Sequence, residues 1–189
     1  MVCHTLYEGG RRARKARYPN YVHDPALPSA AGPYLVSSSG SPELAKEVRE
    51  SWLTWRTNDV VPVDVSLAQM KINVFPWGKC DWHRWICAVT DIDNAERKIS
   101  FDNQGDRTRI SARARYFLED DLAFLDAPGE FFLDEAEGML YYIPRGEGSP
   151  DGLGMALPVV RDLVRIHGQD RENRVHHVRL EGLAFAETD

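Results

Sequence analysis

Apolar and polar residues alternate through the middle of this chain, and a period of two predicts strands. Met70-Lys71-Ile72-Asn73-Val74-Phe75 alternates cleanly. Trp82 to Asp91 is a longer strand candidate rich in aromatic and β-branched residues, and Lys98-Ile99-Ser100-Phe101 alternates again. Asp91 to Arg97 between them suits a hairpin turn, with Asp93-Asn94 able to take turn dihedrals. Glu130 to Asp134 and Met139 to Ile143 read as two strands joined by Glu135-Ala136-Glu137-Gly138. Two stretches carry a helical period instead. Ser41-Pro42-Glu43 has the residue types of a helix start, and Leu44, Val48, Trp52 and Trp55 follow at helical spacing, which predicts about three turns. Leu118, Leu122 and Leu125 fall on one face and predict a short helix within 116–125, stopped before Pro128-Gly129. Gly9-Gly10 marks a turn before a basic strand, and Asp24 to Gly40 has loop composition. Pro144 to Gly154 reads as a linker.

Beyond that linker lie two apolar segments, Leu157 to Ile166 and Val175 to Phe185, separated by the polar turn Gly168 to Arg174. The second reads as one turn of a stacked β-structure. Such a turn cannot bury its apolar face without a stacked neighbour, and solenoids need about three or more repeats. The expectation is a piece of a longer protein, ending as a repetitive domain begins.

Length and composition narrow the class. A chain of 189 residues with 43% hydrophobic content can hold one packed domain and the fringe of another. A net charge of −6 argues against a general nucleic-acid binder. One basic cluster, Arg11, Arg12, Arg14, Lys15 and Arg17, reads as the solvated faces of an extended strand, with polyanion binding the less favoured alternative. Cys3, Cys80 and Cys87 are odd in number and irregular in spacing, so they form neither a disulfide framework nor a zinc pattern; they read as free thiols, Cys87 within an apolar strand. Residues 1–10 hold no apolar run of signal-peptide type, and no stretch approaches about 18 consecutive apolar residues, so no membrane span is expected.

The strongest candidate for ligand contact is the segment Trp77-Gly78-Lys79-Cys80-Asp81-Trp82-His83-Arg84-Trp85. Aromatic faces stack on sugar rings, while Asp, His and Arg bond to hydroxyls, so Trp77, Asp81, Trp82, His83 and Trp85 are candidate carbohydrate contacts. The competing reading is that the tryptophans cap a sheet core. Strand alternation would put Trp82 and Trp85 on opposite faces, leaving at most one toward a ligand. No metal site is expected: His176 and His177 are adjacent, and His4, His23, His83 and His167 lack ligand spacing. Glu119, Asp120, Asp121 and Asp126 read as a solvated face rather than a catalytic pair. Neither a phosphate loop nor a Ser-His-Asp motif is present.

Three segments together resemble one family. Residues Leu6-Tyr7-Glu8-Gly9-Gly10-Arg11-Arg12, running on to Ala16-Arg17-Tyr18-Pro19-Asn20, resemble its segment ending in Ala-Arg-Tyr-Pro-Asn. Ala127-Pro128-Gly129-Glu130-Phe131-Phe132-Leu133-Asp134 with Gly138-Met139-Leu140-Tyr141-Tyr142 resembles its hairpin, and Val178-Arg179-Leu180-Glu181-Gly182-Leu183-Ala184-Phe185 its following rung. The family is that of right-handed parallel β-helix carbohydrate-active proteins, including glycoside hydrolase family 141. The resemblance implies a mainly β chain: an antiparallel β-rich insertion domain over 23–155, with one or two short helices. This would be flanked by a first β-helix strand in 1–22 and by opening rungs in 156–189. It further implies a usually exported parent that hydrolyses polysaccharide with paired carboxylates and no cofactor, its contact partner being polysaccharide and not nucleic acid. The family's catalytic carboxylates lie in its long run of rungs, expected beyond Asp189, so the resemblance implies that the fragment itself is not catalytic. The alternatives are a non-enzymatic β-helix surface or carbohydrate-binding protein and an independent small β-domain that binds a partner.

Overall fold

The computed structural model describes residues 5–21, 34–59, 61–62, 64–78, 82–106, 108–147, 149, 151–160 and 162–188. Six strands form its centre: β5 (Leu35–Gly40), β6 (Glu50–Trp55), β7 (Lys71–Phe75), β8 (Trp85–Asp93), β9 (Lys98–Asp102) and β10 (Arg115–Glu119). Each is antiparallel to its neighbours in the order β10-β5-β6-β9-β8-β7, and β7 pairs back onto β10, closing a barrel. Closure pairs the strand edges that an open sheet would leave unpaired. The long strand β8 serves two neighbours. Its first half, Trp85 to Ala88, pairs with β7, and its second half with β9 across an irregularity between Val89 and Asp91. Such bulges bend a strand and turn the corner of a small barrel.

Alternation along these strands fills the barrel. Trp85, Cys87 and Val89 of β8 point inward while Ile86, Ala88 and Thr90 are exposed. Ile72 and Val74 of β7, Leu53 and Trp55 of β6, Ile99 and Phe101 of β9, and Tyr116 and Leu118 of β10 complete the core. One glycine is required by close approach: a Cβ on Gly40 would lie 2.5 Å from the Ile110 side chain.

The N-terminal segment runs along the outside of the barrel. Strands β1 (Tyr7–Glu8) and β2 (Arg11–Arg12) form a hairpin around Gly9 and Gly10, whose φ values of 53° and 78° suit the primed turn of a tight hairpin. β3 (Arg14–Lys15) pairs in parallel with β11 (Glu130–Asp134), and β4 (Arg17–Tyr18) pairs with β10. β11 and β12 (Met139–Tyr142) form a second hairpin, and β13 (Met155–Ala156) joins β1. A small second core of Leu6, Ala13 and Phe131 lies here. Phe132, on the opposite face of the same strand, enters the barrel core.

Four expectations are corrected. The loop expected over Asp24 to Gly40 ends in strand β5, with Ser37 buried and the backbone bonded by β6 and β10. The helix over Leu44 to Trp55 does not form; residues 41–49 are irregular and Glu50–Trp55 is strand β6. The helical spacing of its apolar residues is outweighed by Ser51, Leu53 and Trp55, which alternate into the barrel while β5 and β9 bond the backbone. The helix over 116–125 is replaced by β10 and a single 3-10 turn, Leu122–Phe124, capped by the Asp121 side chain. The fold class is likewise corrected: the chain is an antiparallel barrel with two small sheets, and no parallel β-helix rungs are present among the described residues. After β13 the described residues form no strand, and Val159, Leu180, Leu183 and Phe185 are each more than half exposed. A rung hides its apolar side against the next; among the described residues nothing stacks on it.

Candidate functional site

Three of the five candidate contact residues come together. The Trp77 ring lies 5.5 Å from that of His83, and His83 lies 5.7 Å from Trp85. The Trp85 indole N–H donates to His83 Nε2, and the Asp106 carboxylate is 3.5 Å from the same nitrogen. Trp85 is 8% exposed and belongs to the barrel core, so it anchors His83 instead of facing solvent. Trp77 lines an open cleft of about 1010 Å³ together with Gln104, Asp106, Thr108, Arg109 and Glu43. Trp82 precedes β8 and is 81% exposed, with no part in this cluster. Asp81 lies outside the described residues.

The residues beyond β9 are shaped by side chains folding onto their own backbone. Asp102 accepts from the Gln104 N–H, and Asn103 accepts from the Gly105 N–H. Asp106 accepts from both the N–H and the hydroxyl of Thr108, at 2.9 and 2.7 Å. Partial burial pushes the Asp106 carboxyl up, but the Thr108 bonds, His83 and the Trp85 N–H outweigh it, and the group is held below its ordinary value. It therefore stays ionised and serves as a hydrogen-bond acceptor, not as a proton donor. The sequence carried one sign of this arrangement: an Asp two residues before a Thr favours such a turn.

A second cleft, also about 1010 Å³, lies on the outer wall of the barrel beneath the N-terminal strands. Ile86, Asn73 and Phe117 stand side by side across β8, β7 and β10 and form its floor. Asn73 is 1% exposed, and neither its amide oxygen nor its nitrogen has a hydrogen-bond partner in the protein. A buried polar group left so costs about 1–3 kcal/mol. Arg17, expected to be solvated, is 9% exposed, with its guanidinium 3.7 Å from the centre of the Phe117 ring. Burial pushes its pKa down, opposed by Tyr34, Glu119 and Glu130. Lys15 and Lys71 both bond Asp120, at 2.9 and 2.8 Å, which ties β3 to the barrel. Gln104 lines both clefts and stands between them.

With this geometry in view, one solved structure is similar. It is titled "Glycoside hydrolase". The TM-score is 0.62 and the identity 14%, and the match covers 89% of this chain and 28% of that one. The likeness is one of fold, and the chain spans little more than a quarter of that protein's length. No family model matches the sequence, nor does any curated protein. Among the described residues no cluster of His, Cys, Asp and Glu could hold a metal ion, and no helix is long and apolar enough to cross a membrane.

Proposed function

We propose that this chain is a β-barrel module of a glycoside hydrolase-like protein that contacts carbohydrate and is not itself catalytic. The observation that carries this reading is the Trp77 cleft: an indole beside a rim of hydrogen-bonding groups, in a fold like a segment of a glycoside hydrolase. Trp77 offers a ring for stacking, Asp106 an ionised acceptor, and Gln104 and Arg109 donors, the sparse polar set that orients a sugar. Glycoside hydrolysis needs one carboxyl group that donates a proton and a second that stays ionised. Asp106 suits only the second role. The carboxyl whose pKa is raised, Glu130, is 3% exposed and does not line this cleft. Within the larger protein this module, lying in residues 23–155 with the strands of 1–22 against it, would bind or position polysaccharide for a catalytic part elsewhere. That protein's activity and its export are part of the same proposal.

The test is a fluorescence titration with neutral plant oligosaccharides, alongside an assay for released reducing ends. Saturable binding that disappears in Trp77→Ala, with no turnover, is expected. Turnover abolished by Asp106→Asn would overturn the non-catalytic reading. Absence of binding to any saccharide would overturn the carbohydrate reading.

A further inference from the structure

The cleft on the outer barrel wall differs in chemistry from the Trp77 cleft. Six of its fifteen lining residues are Lys or Arg, and one, Glu119, is acidic. The whole chain carries a net charge of −6, so this concentration of positive charge is local and does not reflect a basic protein. Asp120 neutralises part of the charge of Lys15 and Lys71. Arg12, Arg14 and Arg84 are exposed around the opening, and Arg17 lies buried against Phe117. At the floor is Asn73, fully buried, with an amide donor and an amide acceptor both unpartnered in the protein.

These features ask for two kinds of group at once. Guanidinium forks match a carboxylate or sulfate bidentately. An unpaired amide matches a neutral group that can both donate and accept, such as a hydroxyl. We infer that this cleft binds an anionic saccharide, its carboxylate or sulfate held by the arginines around Arg84 and a ring hydroxyl held by Asn73. The inference rests on the reading of the chain as a carbohydrate-contacting module and names a substrate class for it. A short anionic saccharide fits better than a nucleic acid, because the cleft, about 1010 Å³, is of small-ligand size.

Isothermal titration of the full chain decides the matter, with four probes: trigalacturonate, a sulfated disaccharide, neutral galactotriose and a short DNA duplex. Saturable binding of either anionic sugar is expected, and which of the two binds identifies the anionic group. That binding should weaken as salt is raised, and by about tenfold or more in Arg84→Glu and in Asn73→Leu. Arg84 is exposed, so its variant carries the test if Asn73→Leu does not fold. Glu96→Ala, exposed in the turn between β8 and β9 and outside both clefts, should leave anionic-sugar binding unchanged. Galactotriose binding with the same Arg84 sensitivity, or DNA binding as tight with that sensitivity, would overturn the inference. If neutral sugars bind in a Trp77-dependent way and anionic ones do not, this inference falls and the module reading stands. If no saccharide binds, both fall.

Discussion

Two single residues carry their environment in their acidity. Burial pushes the Cys87 thiol up to about 12, because the barrel core offers the thiolate no solvation. In the folded protein Cys87 should therefore resist iodoacetamide at mildly alkaline pH, and peptide mapping should find it alkylated only after denaturation; rapid modification of the native chain would mean the barrel opens there. Glu130 is the second case. Burial pushes its carboxyl up, against the Asp126 and Ala127 N–H groups and the charge of Arg17. The folded state thus holds this proton to higher pH than the unfolded state does. The contribution of Glu130 to stability is then greatest below its unfolded value and falls as pH rises through its folded value. Glu130→Gln keeps the size and an acceptor oxygen but does not titrate. Relative to wild type it should gain stability as pH is raised through the carboxylate range, read by chemical denaturation at several pH values. Parallel stability curves would show that Glu130 is as well solvated folded as unfolded.

Among the elements, strand β11 is the joint of the molecule. Phe131 packs into the small N-terminal core and Phe132 into the barrel, so one strand fastens two cores through its two faces. Replacing a large buried aromatic by Ala costs about 3–5 kcal/mol. Phe131→Ala and Phe132→Ala should each lose stability of that order in urea melts, while Glu135→Ala in the exposed turn should change little. Equal small losses from all three would remove β11 from both cores. A second fastening is the Asp120 carboxylate, which bridges Lys15 of β3 and Lys71 of β7. Asp120→Ala leaves two neighbouring ammonium groups without it. The expected loss is about 1.5–3 kcal/mol, the range for hydrogen bonds to charged groups, and it is moderated because both lysines reach solvent. Lys15→Met, which removes only one partner, should lose less.

At the scale of the whole molecule, the closed barrel and the residues beyond β13 behave differently. The barrel strands pair on both edges, whereas residues 159–185 expose Val159, Val160, Leu163, Ile166, Leu180, Leu183 and Phe185. A bond from the Tyr7 hydroxyl to the Thr188 carbonyl at 2.6 Å brings the end of this segment back to the N-terminal hairpin. So many exposed apolar side chains on one segment promote association. Light scattering should show the 189-residue chain gaining mass with concentration. A variant ending at residue 157 should stay monomeric and keep the cooperative melting of the barrel. Monomeric behaviour of the longer chain at high concentration would show that its apolar residues are covered in solution.

Alternation located β7 and β9, whose apolar and polar residues take turns along the chain, while β11 and β12 were legible as two apolar runs on either side of a turn ending in Gly138. The residue types of one short stretch put Trp77, His83 and Trp85 into one candidate site, since they lie close along the chain. Where two periods fitted the same residues the local pattern misled: Leu44, Val48, Trp52 and Trp55 keep helical spacing, yet Ser51, Leu53 and Trp55 keep strand spacing, and only the neighbours β5 and β9 decide between them. The apolar residues of 175–185 carry a rung-like pattern too, but a rung is defined by what stacks on it, and among the described residues nothing does. The turn at Asp106 had a local sign in Thr108, but the roles of Asp106 and Asn73 in their clefts did not, for a related cause. Asp106 gains meaning from His83, in the segment before β8, and Asn73 from an N-terminal segment that folds over the barrel wall. The order of residues determined which faces were apolar and where the turns fell. Tertiary structure decided which strands met, because pairing, closure and the burial of a polar side chain depend on partners remote in the chain.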